Sequence, residues 1–165
     1  MKRLLLVRHA KSSWDDPTLA DFDRPLNDRG NRDAPRMGKR LKEKNIHPDI
    51  VLTSPAVRAL KTCQIITGIL GFAEKKIKTD RSLYHASSEQ ILRTLQTLSD
   101  LPDHEEVVML FGHNPGLTDF ANELLNENID NIPTCGVVSC KLQVDRWKDL
   151  DWGNGSLEFF DFPKK

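Results

Sequence analysis

Several things are scarce in this sequence, and each shortage removes a class of function. Formal net charge is zero, with 24 basic residues against 24 acidic ones. The molecule as a whole therefore has no field to draw it to nucleic acid or to an anionic membrane, and any preference for anions must be local. No apolar stretch approaches the roughly 18 residues of a membrane span. The chain enters a strand-like apolar run almost at once, too short for the apolar region of an export signal and with no cleavage-like segment behind it. Cysteine is sparse and odd in number: Cys63, Cys135 and Cys140. Without the paired spacing of a zinc site, these are expected to be reduced thiols in a cytoplasmic protein. Repeats, low-complexity tracts and linker-like shifts in composition are also missing. The 165 residues read as a single domain, 1–165, able to bury roughly two-thirds of its unfolded surface.

What the chain does have is an alternation of apolar runs with helical periodicity. Residues 3–8 read as a strand apolar on both faces, the mark of a central parallel strand. Asn27 is a suitable helix cap, and Ala34, Met37, Gly38, Leu41 and Asn45 follow it at helical spacing. Pro35 falls inside that pattern and is expected to kink the helix or delay its start. A short strand from Ile50 to Thr53 leads into Ser54 and Pro55, a helix start with proline at the first helical position. Ala56, Leu60, Cys63, Thr67 and Leu70 then form one face, and Gly71 is its stop. A weak strand at 76–79 precedes "SSEQILRTLQTL", a short amphipathic helix.

The segment "EEVVMLFGHNPGLTDFANELL" repeats the pattern, with Asn114 as cap, Pro115 at the first helical position, and Leu117, Phe120, Ala121, Leu124 and Leu125 as core face. Val138, Cys140, Leu142 and Val144 alternate with polar residues, as an antiparallel strand with one solvated face does, and "GSLEFFDF" reads as its partner. The fold class is α/β: a three-layer α/β/α sandwich whose sheet is mostly parallel with an antiparallel edge. The lysines and arginines between 36 and 44 read as a solvated helix face, and Trp14, Trp147 and Trp152 as anchors of core and loops.

Three of the expected strands end in chemistry-bearing residues: Arg8-His9, "TSPAVR" leading to Arg58, and Gly112-His113. Ligands of open α/β sheets bind outside the carboxyl ends of the strands, so parallel neighbours would bring all three endings to one rim. Arg58 lies in a first helical turn, where a cation opposes the helix dipole by up to about 1 kcal/mol. Facing an anion reverses that balance, since an arginine about 4 Å from a phosphate charge gains about 4 kcal/mol at an effective dielectric of about 20. Glycines 112 and 116 flank His113 and allow backbone to approach a ligand. Two histidines and two arginines without a carboxylate or cysteine cluster do not suit a divalent metal, and no cofactor is implied. The set suits phosphoryl transfer, with an imidazole nitrogen attacking phosphorus and arginines spreading the charge of the oxygens.

"LLLVRHA", "SPAVRALKT" and "FGHNPG" together resemble the signatures of the histidine phosphatase superfamily, the phosphoglycerate mutase-like fold. "DFDRPLNDRG" resembles the segment that follows the first motif in its short members, the SixA-type phosphohistidine phosphatases. The resemblance covers nearly the whole chain. It implies His9 as the nucleophile that becomes phosphorylated, Arg8, Arg58 and His113 as the phosphate pocket, and Arg24 as a further phosphate or substrate contact. The chain departs from the pattern at Ala10, where the wider superfamily usually has glycine.

A second departure concerns the proton donor. Mutases and many phosphatases of the superfamily supply a carboxylate acid after the third strand, but "DRSLYHASSEQIL" offers Asp80, His85 and Glu89 without a convincing match. Weak acid assistance suits a leaving group easier to expel than an alkoxide, as phosphohistidine is. The expected function is hydrolysis of a phosphoryl group from phosphohistidine on a protein, with no nucleic-acid or membrane partner. The alternatives are a small-molecule phosphomonoesterase of the same fold, a phosphate-binding module without turnover, and a mutase.

Overall fold

The computed structural model describes residues 1–101 and 105–165. Six strands form one sheet in the order β3-β2-β4-β1-β5-β6. β1 is Lys2–Arg8, β2 Ile50–Thr53, β3 Lys78–Thr79, β4 Glu106–Gly112, β5 Val137–Leu142 and β6 Gly155–Asp161. The four strands from β3 to β1 run parallel, and β5 and β6 are antiparallel. Central β1 is apolar on both faces because alternate residues serve two cores. Leu4 and Leu6 pack under α3 (Ser88–Gln96) and α4 (Gly116–Leu125), while Leu5 and Val7 pack under α1 (Asp28–Glu43) and α2 (Val57–Ile69). The three-layer arrangement follows directly from that double burial.

Several expected boundaries shift. Asn27 caps α1 by accepting from the Gly30 N–H, and the helix starts at Asp28 and runs on past Pro35, so the proline does not delay it. Asn45 lies beyond the helix end in left-handed backbone, φ 59°. α2 starts at Val57 and not at Pro55, because the Ser54 hydroxyl oxygen accepts from the Ala56 N–H and draws 54–56 into a turn of its own. Its buried face is Ala59, Thr62, Cys63, Ile66 and Thr67, with Leu60 only half-buried. Pro115 precedes α4 as its cap residue, and the Asn114 side chain accepts from the Thr118 N–H one turn on. The second face of β5 is solvated only at Lys141: the strand lies between β1 and β6, and Val137 and Ser139 are as buried as Val138 and Cys140.

At the end of the sheet opposite the motif-bearing strand ends, buried Lys2 and Glu106 pair at 3.1 Å, and the Trp147 indole N–H also donates to Glu106. Trp147 is wholly buried there, Trp152 is part-exposed, and Trp14 stands out with 71% exposure. Burial pushes all three free cysteine thiols up to about 12. No helix among the described residues is long and apolar enough to cross a membrane.

Candidate active site

β2, β4 and β1 are adjacent and parallel, so their carboxyl ends deliver Ser54, His113 and His9 to one rim. The backbone there is tied in register. The His9 N–H donates to the Gly112 carbonyl, the Arg8 N–H to Gly136, and the Cys135 N–H to the His9 carbonyl. Ala10 is wholly buried, and its N–H donates to the Thr62 hydroxyl, which in turn donates to the Arg58 carbonyl. A methyl group at position 10 is therefore accommodated, and the first motif is pinned to the first turn of α2.

A cavity of about 230 Å³ opens at this rim, lined among others by Arg8, His9, Arg24, Arg58, His85 and His113. The His9 Nδ1–H donates to the Ala10 carbonyl at 2.7 Å, a group that can only accept. In the neutral ring the lone pair is then on Nε2. Burial, followed by the charges of Arg58, Arg8 and Arg24, pushes His9 down to about 3, against the opposing effect of the Ala10 carbonyl. His113, 5.3 Å away between ring centroids, places Nε2 2.8 Å from the Ser54 hydroxyl. Burial and then the neighbouring His9 and Arg58 push it to about 3 as well. Arg8 donates to the Ile132 carbonyl, and burial, then Arg58, lowers its pKa. Among the described residues, its buried Nε and His113 Nδ1 have no hydrogen-bond partner, an unusual state for buried polar atoms.

Arg24, the further contact that the resemblance implies, lines the cavity. It is 7% exposed, with Nε on the Ser13 carbonyl, Nη2 on the Ser12 hydroxyl and the Trp14 ring stacked 3.3 Å from the guanidinium carbon. The chain reaches this arrangement because 11–13 pairs with 25–27, through a bridge between Ser12 and Leu26 and hydrogen bonds from Ser13 to Pro25 and from Asn27 to Lys11. Gly30 permits it, since a Cβ there would overlap the Lys11 carbonyl.

Asp21 is the residue that local sequence reasoning missed. Its carboxylate accepts from Arg24 at 2.9 Å, Arg58 at 3.0 Å, the Tyr84 hydroxyl at 2.6 Å and His85 Nε2 at 3.0 Å, and its carbonyl accepts from Arg58 at 2.7 Å. Burial pushes the carboxyl up, but the hydrogen bonds from Tyr84, Arg24, Arg58 and His85 outweigh it and hold the acid well below the usual carboxylate range. Arg58 escapes water by this pairing: it is 3% exposed, and Asp21 answers the charge that the helix dipole opposes.

Of the three proton-donor candidates, Asp80 caps a turn by accepting from the Ser82 N–H, and Glu89 pairs with Arg93 on an exposed helix face. His85 alone of the three lines the cavity. Among the described residues no group of three or more His, Cys, Asp or Glu side chains is placed to hold a metal ion.

This arrangement gathers the cationic groups that suit a tetrahedral anion around a neutral imidazole. Known proteins share both the sequence pattern and the fold. Residues 4–87 match the model of the histidine phosphatase superfamily (branch 1). An uncharacterized chloroplastic protein of Arabidopsis thaliana is 31% identical over 153 residues, covering 90% of this chain and 70% of that protein. Phosphoglycerate mutase 1 of Saccharomyces cerevisiae is 40% identical over 67 residues, a stretch that is 39% of this chain and 27% of the mutase. A SixA structure from Agrobacterium tumefaciens superposes with a TM-score of 0.80 at 27% identity over 98% of both chains. The protein histidine phosphatase SixA complexed with tungstate shares the fold, with a TM-score of 0.81 at 21% identity over 98% of this chain and 97% of that one. The chain belongs to the histidine phosphatase superfamily, branch 1.

Proposed function

We propose that this protein, as a single catalytic domain spanning 1–165, hydrolyses phosphohistidine on a protein through a phosphorylated His9. The observation that carries the reading is the His9 Nδ1–H bond to the Ala10 carbonyl inside a ring of arginines. It leaves Nε2 as the attacking atom, and the ring stays neutral without help from a base. Attack forms the Nε2–P bond as the substrate's N–P bond breaks, its electron pair leaving with the substrate imidazole, and the positive charge left on the phosphorylated His9 ring is offset by the Ala10 carbonyl. Arg8, Arg58 and Arg24 spread the charge of the phosphoryl oxygens. His113 donates from Nδ1 while Nε2 accepts from the Ser54 hydroxyl, and phosphate oxygens satisfy Arg8 Nε and His113 Nδ1, two of the three buried side-chain atoms without partners among the described residues. Water then cleaves the phosphoenzyme and restores neutral His9.

Three features favour a phosphorylated protein over a small metabolite. A cavity of about 230 Å³ is smaller than pockets that enclose a whole ligand, which start at about 300 Å³. It cannot enclose a large substrate, so a phosphorylated protein would reach it with the phosphoryl-bearing side chain alone. The likeness to SixA structures runs the length of both chains, and tungstate, an oxyanion of phosphate's shape, is what one of them holds.

Rapid mixing with a radiolabelled phosphodonor should trap acid-labile, base-stable label on the protein, and His9→Ala should abolish it. Label that survives His9→Ala sinks the mechanism. Faster hydrolysis of a panel of small phosphate esters than of a phosphohistidine peptide would move the substrate to the metabolite class.

A further inference from the structure

The departing atom of a phosphoryl transfer needs a proton, and the cavity holds few groups able to give one. The His9 Nδ1–H is committed to the Ala10 carbonyl. His113 is held neutral, with Nε2 on Ser54. Guanidinium groups do not release protons in proteins. Asp21, the one carboxylate among the described residues lining the cavity, is kept ionised by its four side-chain donors. Lys11 and His85 remain.

The two differ in how they are held. Lys11 carries its charge on a flexible four-carbon stem. The His85 ring is held on three sides: Nε2 lies 3.0 Å from Asp21 Oδ2, and its centroid lies 4.2 Å from that of Tyr84 and 5.2 Å from that of His113. Its backbone is left-handed, φ 52°, a conformation that is unfavourable for a non-glycine residue and persists where the surroundings enforce it. The side chain is nevertheless 52% exposed, so water reaches a ring that its neighbours hold in place. A fixed imidazole, the one side-chain type that ordinarily changes charge near neutrality, is suited to shuttle a proton.

We propose that His85 is the proton donor to the leaving group, and that Asp21 is the positioning residue that orients it. The proposal rests on the reading of His9 as phosphoryl acceptor. In the first half-reaction the His9 Nε2–P bond forms and the bond from phosphorus to the substrate's oxygen or nitrogen breaks. The proton on the His85 nitrogen not bonded to Asp21 passes to that departing atom. In the second half-reaction water attacks phosphorus, neutral His85 takes the water proton, and the Nε2–P bond breaks with its electron pair returning to His9. The donor is thus an imidazolium where many relatives in this superfamily use a carboxylic acid. The cavity's own carboxylate is too firmly ionised to serve.

The test is a series of aryl phosphates running from 2,4-dinitrophenyl phosphate to phenyl phosphate, with kcat/KM measured for wild type and His85→Asn. General acids contribute about 100-fold or more when the leaving group is poor. His85→Asn should lose about 100-fold on phenyl phosphate and less than about 3-fold on the dinitrophenyl ester, with inorganic phosphate binding retained in calorimetry. An equal loss across the series, or none, overturns the proposal. Asp21→Asn, which keeps His85 but weakens its hold, should steepen the leaving-group dependence in the same direction, and an unchanged dependence counts against the positioning role. Should His85→Asn misfold, the Asp21→Asn series decides alone. Failure of the underlying reading looks different: His9→Ala would then still hydrolyse the dinitrophenyl ester.

Discussion

The carbonyl of Ala10 determines which nitrogen of His9 is available, and burial determines that the ring is neutral. Both His9 and His113 stay unprotonated in the folded chain to about pH 3, whereas in the unfolded chain they take protons below about 6.5. Between those values the unfolded state binds more protons, so stability rises with pH there and is lost as pH falls from about 6.5 toward 3. Asp21 adds to the same trend lower down, because its depressed carboxyl contributes stability above the ordinary carboxylate range that disappears on acidification. Thermal unfolding between pH 7 and pH 4 should therefore show a falling midpoint for wild type and a shallower fall for His9→Asn. Parallel curves would mean that His9 is not held neutral by the fold.

Among elements, the contact between α4 and the turn that carries His85 sets how the two halves of the rim meet. Gly116 opens α4, and a Cβ at that position would overlap the carbonyl oxygen of Ala86, next to His85. Gly116→Ala must push the 84–87 turn away from α4, at an overpacking cost of about 2 kcal/mol. The expected outcome is a lower melting temperature together with a steeper leaving-group dependence, read from the same aryl phosphate series. An alanine variant as stable as wild type would show that this close approach is dispensable. The helix boundaries teach a related lesson. Ser54-Pro55 and Asn114-Pro115 both carry start signals, yet each helix begins one or two residues after its proline. The side chains of Ser54 and Asn114 are engaged with the backbone, and Ser54 also with His113. A local pattern names the vicinity of a cap, while the tertiary partner selects the residue.

For the molecule as a whole, zero net charge coexists with a cavity lined by Arg8, Lys11, Arg24 and Arg58 against Asp21. Anion binding is then short-ranged and linked to folding, because the cavity exists only when β1, β2 and β4 are assembled. Inorganic phosphate at 100 times its Kd should stabilise the protein by about 2.7 kcal/mol, visible as a raised melting temperature. Arg58→Ala should lose most of that shift, and a shift that persists in full would place the anion elsewhere. How much of this was legible beforehand depends on sequence distance. Strands, helices and the three strand-end motifs follow from periodicities within a few residues, so the layered sheet and the convergence of Arg8, His9, Arg58 and His113 could be read from the chain. Asp21 could not. It meets Arg58 across 37 positions, Tyr84 across 63 and His85 across 64, and no local spacing encodes such a meeting. The sequence by itself determined which residues bear charge and imidazole at the rim. Only the tertiary structure decided which carboxylate binds them together, which nitrogen of His9 is free and which further histidine lines the cavity, because hydrogen bonds between distant segments exist only once the chain has closed.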